Sequence, residues 1–328
     1  MSTSDTETSR RAADADQVLC VGEAMILVAP TTPVSLLEGT VFHLSAGGAE
    51  STVAMYLATL GHRVSWASRV GDDPLGERLI AQLKSQGVDT SRVIRDSEAP
   101  TGVYFKDPRT DGSVVYYYRR GSAASRMSAS DAPAFLPPGC SVLHLSGITP
   151  ALSDSCRSLV ESLVDMAKLR GITVSFDVNY RRKLWSVDTA AHALLALSGR
   201  ADVVFVGLDE AAELWGTKSP RDVRDRIGHE NWLVVKNAAV GATEFRGSTE
   251  TFEPAQEVHV VDQVGAGDAF AAGYLSGLLR GAGPRERLRQ GHALAAKTLI
   301  TTGDFLHPTA PEAGKSSRGP VRRSPAGS

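Results

Sequence analysis

The chain has 328 residues, of which 42% are hydrophobic and 22% are charged, and its formal net charge at pH 7 is −2. This composition predicts a soluble globular protein that buries one large core or two modest cores. The balanced charge gives no reason to expect nucleic acid or a membrane as the partner, and no apolar run approaches the roughly 20 residues of a membrane span.

The two ends of the chain differ in composition from the rest. Residues 1–16 are polar and lack the apolar stretch of a signal peptide, whereas residues 314–328 contain four basic residues and no acid. We expect both ends to be disordered tails and residues 17–313 to form the folded region. A basic tail can bind nucleic acid, but a solvated end is the simpler interpretation.

The three cysteines, Cys20, Cys140 and Cys156, are odd in number and show no C-x-x-C spacing. This pattern argues against a disulfide framework and against a zinc site. Together with the polar N-terminus, it favours the reducing cytoplasm.

Short apolar runs alternate with helical patterns along the chain. The predicted strands are Val18–Met25, Val64–Val70, Val142–Ser146, Thr173–Val178, Asp202–Val206 and Trp232–Lys236. The predicted helices, each followed by a glycine that stops it, are Glu50–Leu60, Gly76–Gln86, Ser153–Arg170 and Asp209–Trp215. This order predicts an α/β fold with a mainly parallel sheet and helices on both faces.

Ligands of such sheets gather beyond the carboxyl ends of the strands. Several polar residues or glycines lie at or just after these predicted ends: Asp177, Asn179, Arg181, Gly207, Glu210, Lys236 and Asn237.

One region breaks the alternation, because Thr101–Lys106 and Ser113–Arg119 predict an antiparallel hairpin without a covering helix. With a strand period of two, Tyr117 and Arg119 share one face, so that an aromatic ring and a guanidinium point together. The hairpin is either a surface element that shields its edges or a lid that closes over the cleft at the strand ends.

The segment Asp262–Asp268, D-Q-V-G-A-G-D, runs into an apolar helical pattern. Its small residues Gly265, Ala266 and Gly267 allow a tight turn at a helix start, where free amides and the helix dipole favour an anion. A carboxylate beside a bound phosphate suits a base that takes a proton from an attacking hydroxyl, which is the role we predict for Asp268. The alternative is a glycine turn in which Asp268 is an ordinary N-cap.

Two other nucleotide motifs are excluded. The nearest match to a P-loop, at Gly314–Ser316, has Thr309 where the first glycine belongs and no strand before it. The Gly265-x-Gly267 pair fails the dinucleotide pattern because Phe270 stands where a small residue is required.

Over about residues 17–308, the chain resembles the PfkB, or ribokinase-like, family of carbohydrate kinases. The resemblance rests on Gly47-Gly-Ala-Glu50, on Gly71-Asp-Asp-Pro-Leu-Gly76 and on the Asp262–Asp268 segment. The stretches Tyr116–Ser125, Leu145–Ser153 and Phe176–Trp185 are most similar to the branch that phosphorylates 2-keto-3-deoxygluconate. The resemblance implies a three-layer α/β/α sandwich, with a small β lid at about residues 30–46 and 100–120.

The resemblance also implies roles for individual residues. It makes Asp268 the catalytic base and the amides of Gly265, Ala266 and Gly267 the anion hole. It places the substrate contacts at Gly48, Ala49, Glu50, Ser51, Thr52, Tyr104, Tyr117, Arg119, Arg181, Asp268 and Asp304. It places the ATP contacts at Asn179, Arg181, Lys236, Asn237, Gly241, Gly265, Gly267 and His292. It gives Glu210 an indirect role with magnesium.

The expected cofactors are ATP and Mg²⁺, a monovalent cation is an optional third, and the expected assembly is a homo-oligomer.

The chain departs from the family pattern at three positions: Thr52 and Gly207 each replace an asparagine, and Ala238 replaces a glycine. Paired guanidinium groups at Arg119 and Arg181 suit a substrate carboxylate.

Three functions stay open. They are a kinase of 2-keto-3-deoxygluconate, a kinase of the same family for another sugar or keto acid, and a catalytically weak sugar-acid sensor. The intact segment around Asp268 argues against the sensor, which has no need of a base.

Overall fold

The computed structural model of the protein describes residues 17–109 and 112–301. The predicted tails at 1–16 and 314–328, and Asp304, therefore lie outside the described residues, and the predicted domain bounds remain a prediction. Within the described ranges, each helix is too short or too polar to cross a membrane.

The strands alternate with helices along most of the chain. The strands are β1 (Gln17–Val21), β2 (Met25–Pro30), β3 (Phe42–Gly47), β4 (Arg63–Ala67), β5 (Arg69–Gly71), β6 (Ile94–Asp96), β7 (Val103–Arg109), β8 (Gly112–Tyr118), β9 (Cys140–Ser146), β10 (Thr173–Asp177), β11 (Val203–Gly207), β12 (Trp232–Asn237), β13 (Gly241–Arg246) and β14 (Thr249–Pro254). The helices are α1 (Ala49–Thr59), α2 (Pro74–Ser85), α3 (Ala132–Phe135), α4 (Asp154–Leu169), α5 (Val187–Ser198), α6 (Leu208–Trp215), α7 (Pro220–Ile227), α8 (Ala266–Leu279) and α9 (Pro284–Leu299).

The central sheet has eight strands in the order β14-β13-β12-β11-β10-β9-β1-β4. The strands from β12 to β4 are parallel, and β13 and β14 add an antiparallel edge. The parallel strands end at one edge of the sheet, which brings the loops after β10, β11 and β12 together.

Alternate residues of each central strand enter separate cores on the two faces of the sheet. On β11, Val204 and Val206 pack with α4 to α7, whereas Val203 and Phe205 pack with α1, α2, α8 and α9. Strands buried on both faces read as continuous apolar runs. The result is the predicted three-layer α/β/α sandwich.

A second sheet, in the order β3-β2-β7-β8, forms the lid. Strands β7 and β8 pair antiparallel, which confirms the predicted hairpin. Strand β2 pairs parallel with β7 and antiparallel with β3, so the lid combines two segments that are distant in sequence.

Two strand predictions were wrong in the same way. The run Val18–Met25 is not one strand, because β1 ends at Val21 and β2 begins at Met25 in the other sheet. Likewise Val64–Val70 is divided between β4 and β5, which lie in different sheets. Both runs stay buried across the break, so their hydrophobicity did not mark the point where the chain changes sheet. Helices α3, α5, α7 and α9, strand β6 and the edge strands β13 and β14 were not predicted.

Candidate active site

The segment before α8 has the predicted tight turn. Gly265 has φ 79° and ψ −9°, a left-handed conformation, and it is the N-cap of α8. Asp268 lies in the first helical turn, so the alternative in which it is the N-cap is wrong. The Ala266 amide turns back to Gln263 O at 3.4 Å, and the first helical bond runs from Ala269 to Gly265. The amides of Gly267 and Asp268 thus stand at the open end of the helix.

An asparagine from the next loop lies against the Asp268 carboxylate. Asn179 Nδ2 is 3.5 Å from Asp268 Oδ1, and Asn179 has the positive φ of 39° that asparagine tolerates better than most residues. This backbone bend directly after β10 turns the Asn179 amide toward α8. The bend is a local constraint at a predicted ligand-binding edge.

Lys236, at the end of β12, brings a positive charge to the same place. Its Nζ is 2.8 Å from Asp177 Oδ2 and would be 3.6 Å from a Cβ atom built on Gly267. Burial alone would lower the pKa of Lys236, but the charges of Asp177, Glu210 and Asp268 outweigh it and raise that pKa above its ordinary value. A fixed ammonium therefore lies beside the predicted anion hole.

Glu210 has a structural role that the sequence did not indicate. Its Oε2 accepts a hydrogen bond of 2.9 Å from the Gly207 amide and caps α6. Burial raises the pKa of Glu210, and the charge of Lys236 opposes the rise. A Cβ atom on Gly207 would lie 2.5 Å from Asp209 Oδ1, so this glycine suits the tight start of α6.

On the lid, aromatic rings and a guanidinium lie together as predicted. Tyr104 and Tyr117 stack with ring centroids 5.7 Å apart, and the Arg119 guanidinium lies 5.6 Å from the centroid of Tyr117. Arg119 also forms an ion pair with Glu23, whose side chain is fully buried. Glu23 was not predicted, because an acid that follows a buried strand gives no indication of its partner.

The turn at the start of α1 presents backbone groups, and not side chains, to a substrate. Gly48 is the N-cap, and the side chains of Glu50, Ser51 and Thr52 are buried beneath it. Glu50 Oε1 accepts hydrogen bonds from Ser146 Oγ at 2.7 Å and Thr149 Oγ1 at 2.9 Å. A substrate at this turn would meet the chain at Gly48 and Ala49, so the side-chain part of the predicted Glu50–Thr52 contact has no support in this conformation.

The remaining predicted nucleotide residues, Asn237, Gly241 and His292, fall into two places. Asn237 and Gly241 flank the β12–β13 turn, where Ala238 takes a φ of 41° that suits the glycine of the family pattern. His292 faces a cleft of about 270 Å³ beside the end of β14 and α9, lined by Glu253, Pro254, Gln256, Glu286, Arg289, Gln290, His292 and Ala293. His292 Nε2 lies 3.1 Å from Glu253 O, and burial lowers the pKa of His292.

The structure therefore brings together a cluster of polar side chains beyond the strand ends: Asp177, Asn179, Glu210, Lys236 and Asp268. Arg181 is exposed near this cluster, and its charge, like that of Lys236, opposes the rise in the pKa of Glu210 that burial causes. Asp177 was predicted to lie at a strand end but was not predicted as a site residue. An acid at the end of a buried strand was the signal that could have indicated it.

The chain is similar to known proteins in both sequence and structure. Residues 15–308 match the pfkB family carbohydrate kinases. A 2-dehydro-3-deoxygluconokinase from Bacillus subtilis is 37% identical over 290 residues, covering 87% of this chain and 90% of that protein. A 2-dehydro-3-deoxygluconokinase from Thermoproteus tenax is 34% identical, covering 88% of this chain and 89% of that protein. The crystal structure of a PfkB protein from Polaromonas sp. JS666 superposes with a TM-score of 0.80 at 36% identity, covering 87% of this chain and 96% of that chain.

Proposed function

Because this chain belongs to the pfkB family of carbohydrate kinases, we propose that it phosphorylates the sugar acid 2-keto-3-deoxy-D-gluconate at its 6-hydroxyl, with ATP as the donor. The observation that carries the proposal is the position of Asp268. Its carboxylate lies in the first turn of α8, directly after the left-handed Gly265 and near the Lys236 ammonium.

We assign the proton transfer to Asp268. Its carboxylate takes the proton of the attacking hydroxyl, while the Asn179 amide, 3.5 Å away, restricts its orientation. The amides of Gly267 and Asp268, at the positive end of α8, stabilise the charge on the transferring phosphoryl group. Lys236 adds a full positive charge beside Gly267, so that the acid, the amides and the ammonium serve one reaction centre.

The polar cluster also suits Mg²⁺ bound with the nucleotide. Asp177 Oδ1 and Asn179 Oδ1 are buried oxygens without a hydrogen-bond partner among the described residues, and hard oxygen atoms are the ligands that Mg²⁺ takes. Magnesium would neutralise phosphate charge in such a site. The cleft beside His292 suits the nucleoside end of ATP. The monovalent cation, the homo-oligomer and the cytoplasmic location remain predictions.

Two arginines support a carboxylate-bearing substrate. Arg119 lies at the base of the lid beside Tyr117, and Arg181 lies exposed after β10. Planar guanidinium groups bind carboxylates with paired hydrogen bonds, which neutral sugars do not require.

One observation favours a second candidate, a kinase of a neutral sugar. Arg119 is already paired with the buried Glu23, so this pair carries no net charge toward the cleft. With one arginine already neutralised, the site would discriminate less strongly against a neutral, hydroxyl-rich substrate than a site with two unpaired arginines would.

ADP release with purified protein, ATP and Mg²⁺ tests the choice. We expect turnover of 2-keto-3-deoxy-D-gluconate and poor turnover of fructose and ribose. Arg181→Ala should lower kcat/KM for the keto acid by roughly 10- to 150-fold, since a hydrogen bond to a charged group is worth about 1.5–3 kcal/mol. Arg119→Ala should do the same.

The matched control is Arg221→Ala, because Arg221 is an exposed arginine that pairs with Glu250 on the surface. It should leave turnover unchanged. Better turnover of fructose than of the keto acid, with Arg119→Ala and Arg181→Ala both harmless to keto-acid turnover, would replace the first candidate by the second.

A further inference from the structure

Glu23 is a buried acid outside the residues already assigned to the reaction. It lies in the short connection between β1 and β2, and its side chain has no exposed surface. Its two carboxylate oxygens have different partners: Ser122 Oγ donates to Oε1 at 2.9 Å, and the Arg119 guanidinium pairs with Oε2. Burying a carboxylate costs free energy unless the group is paired and hydrogen-bonded, so both contacts stabilise the charged form of Glu23.

The segments that connect the lid to the central domain converge on this residue. The connection from β1 to the lid contains Glu23 itself, and the return from β3 passes Gly48, where a Cβ atom would collide with Glu23 O. The chain enters β7 through Gly102, where a Cβ atom would lie 3.3 Å from Glu23 Oε1. After β8 it leaves the lid through Arg119 and Ser122, the two partners of the carboxylate.

Arg119 has donors that Glu23 does not use. The ion pair engages Nη2, whereas Arg119 Nε is buried and has no hydrogen-bond partner among the described residues. The side chain retains 12% exposure and lies beside the Tyr117 ring. The ion pair holds one end of the planar guanidinium beside Glu23, and the remaining donors can bind a ligand.

We propose that Glu23 is the positioning residue that holds the Arg119 guanidinium at the base of the lid, and that it thereby directs the remaining Arg119 donors toward the substrate. The inference rests on the proposed function, because it assigns Arg119 to the substrate carboxylate. Glu23 does not touch the substrate. Its effect passes through Arg119, whose long side chain would otherwise sample many rotamers.

The test compares Glu23→Ala, Glu23→Gln and Glu23→Asp with the parent protein. Glu23→Ala should raise the KM for 2-keto-3-deoxy-D-gluconate by roughly 10- to 100-fold while changing kcat much less, because an unfixed Arg119 weakens a charge-assisted hydrogen bond. Glu23→Gln keeps an acceptor for Arg119 and should restore most of the affinity. The KM for ATP should stay the same in all three variants.

A second measurement separates positioning from a general structural defect. In an Arg119→Ala background, a further Glu23→Ala change should have no additional effect on the KM for the keto acid, because the route through Arg119 is already lost. This double variant also removes both charges of the pair, which avoids an orphaned buried charge. Glu98→Ala is the matched control, since Glu98 forms a surface ion pair with Arg126.

The outcomes are distinct. If the parent protein does not phosphorylate the keto acid, the proposed function fails before a variant is measured. If the parent protein does so and a folded Glu23→Ala protein keeps the parental KM, or the effects of Glu23→Ala and Arg119→Ala are additive, the positioning role is wrong. Should Glu23→Ala not fold, Glu23→Asp shortens the acid by one methylene, and a parental KM in that variant overturns the proposal equally.

Discussion

Lys106 on the lid strand β7 forms an ion pair with Asp262, the first residue of the segment that leads to Asp268. The two residues are 156 positions apart in the sequence, and both side chains are largely buried. Asp262 Oδ1 also accepts a hydrogen bond of 3.2 Å from the Val264 amide. A single carboxylate therefore connects the lid with the turn that precedes the anion hole.

The first prediction concerns this connection. Lys106→Met should lower kcat about fivefold, because a partly buried ion pair contributes about 1 kcal/mol to holding the lid against the Asp262 turn. Steady-state ADP release measures the change. Lys168→Met, at an exposed position of α4, is the control and should have no effect. Equal kcat values for all three proteins would show that the pair has no role in turnover.

The second prediction concerns the base. Asp268→Asn should lower kcat by roughly 10²- to 10⁴-fold, since the amide cannot take the proton of the attacking hydroxyl. The KM for ATP, measured in the same assay, should change little. Asp154→Asn is the matched control, because Asp154 also lies in the first turn of a helix but is fully exposed. A parental rate for Asp268→Asn would contradict the assigned mechanism.

The third prediction separates two neighbouring glycines. Gly265→Ala should destabilise the protein by about 1–2 kcal/mol in urea unfolding, because its φ of 79° is left-handed. Gly267→Ala should leave stability nearly unchanged, since the new Cβ would meet only Lys236 Nζ at 3.6 Å. It should nevertheless lower kcat by roughly 10²- to 10³-fold by intruding on the anion hole.

The control for both glycine variants is Gly283→Ala, at the N-cap of α9, where a Cβ atom would enter open space. It should change neither stability nor kcat appreciably. Normal kcat in a folded Gly267→Ala protein would mean that the loop is only a turn.

The fourth prediction concerns pH. Burial raises the pKa of Glu50 above its ordinary value of 4.5. The folded protein then binds this proton more tightly than the unfolded chain, so the stability contributed by Glu50 is complete below pH 4.5 and is lost as pH rises through the higher folded pKa. Glu50→Gln removes the titration. The Tm of the parent protein should therefore fall relative to that of Glu50→Gln as pH rises above about 4.5.

The free-energy difference behind this shift is about 1.4 kcal/mol for each pKa unit. Glu161→Gln, at an exposed position of α4, should leave the pH profile of Tm unchanged and serves as the control. Parallel Tm profiles for the parent protein and Glu50→Gln would show that Glu50 does not titrate differently on folding.

The sequence predicted the central sheet well because its signals are local. The run predicted as Thr173–Val178 is observed as Thr173–Asp177, and the run predicted as Trp232–Lys236 as Trp232–Asn237. A fully buried strand needs apolar side chains on both faces, and this need is visible in a few consecutive residues. The same locality explains the error at Val18–Met25, where buried residues continue through the connection between the two sheets.

The motif around Asp268 was also predictable, because a left-handed turn requires glycine and a helix start leaves amides free. Glu50 shows the limit of such reasoning. Its position next to Gly48 suggested a substrate contact, but its carboxyl group is directed into the interior toward Ser146 and Thr149. The direction of a side chain depends on how α1 packs against other elements, and a short sequence motif carries no information about that packing.

The sequence by itself determined the α/β class, the positions of the main strands along the chain and the segment that leads to Asp268, since each depends on neighbours along the chain. The tertiary structure alone decided the partners of the charged residues: Arg119 with Glu23, Lys106 with Asp262 and Lys236 with Asp177. Charges attract according to their separation in space and their burial, and a chain with a net charge of −2 permits many other pairings.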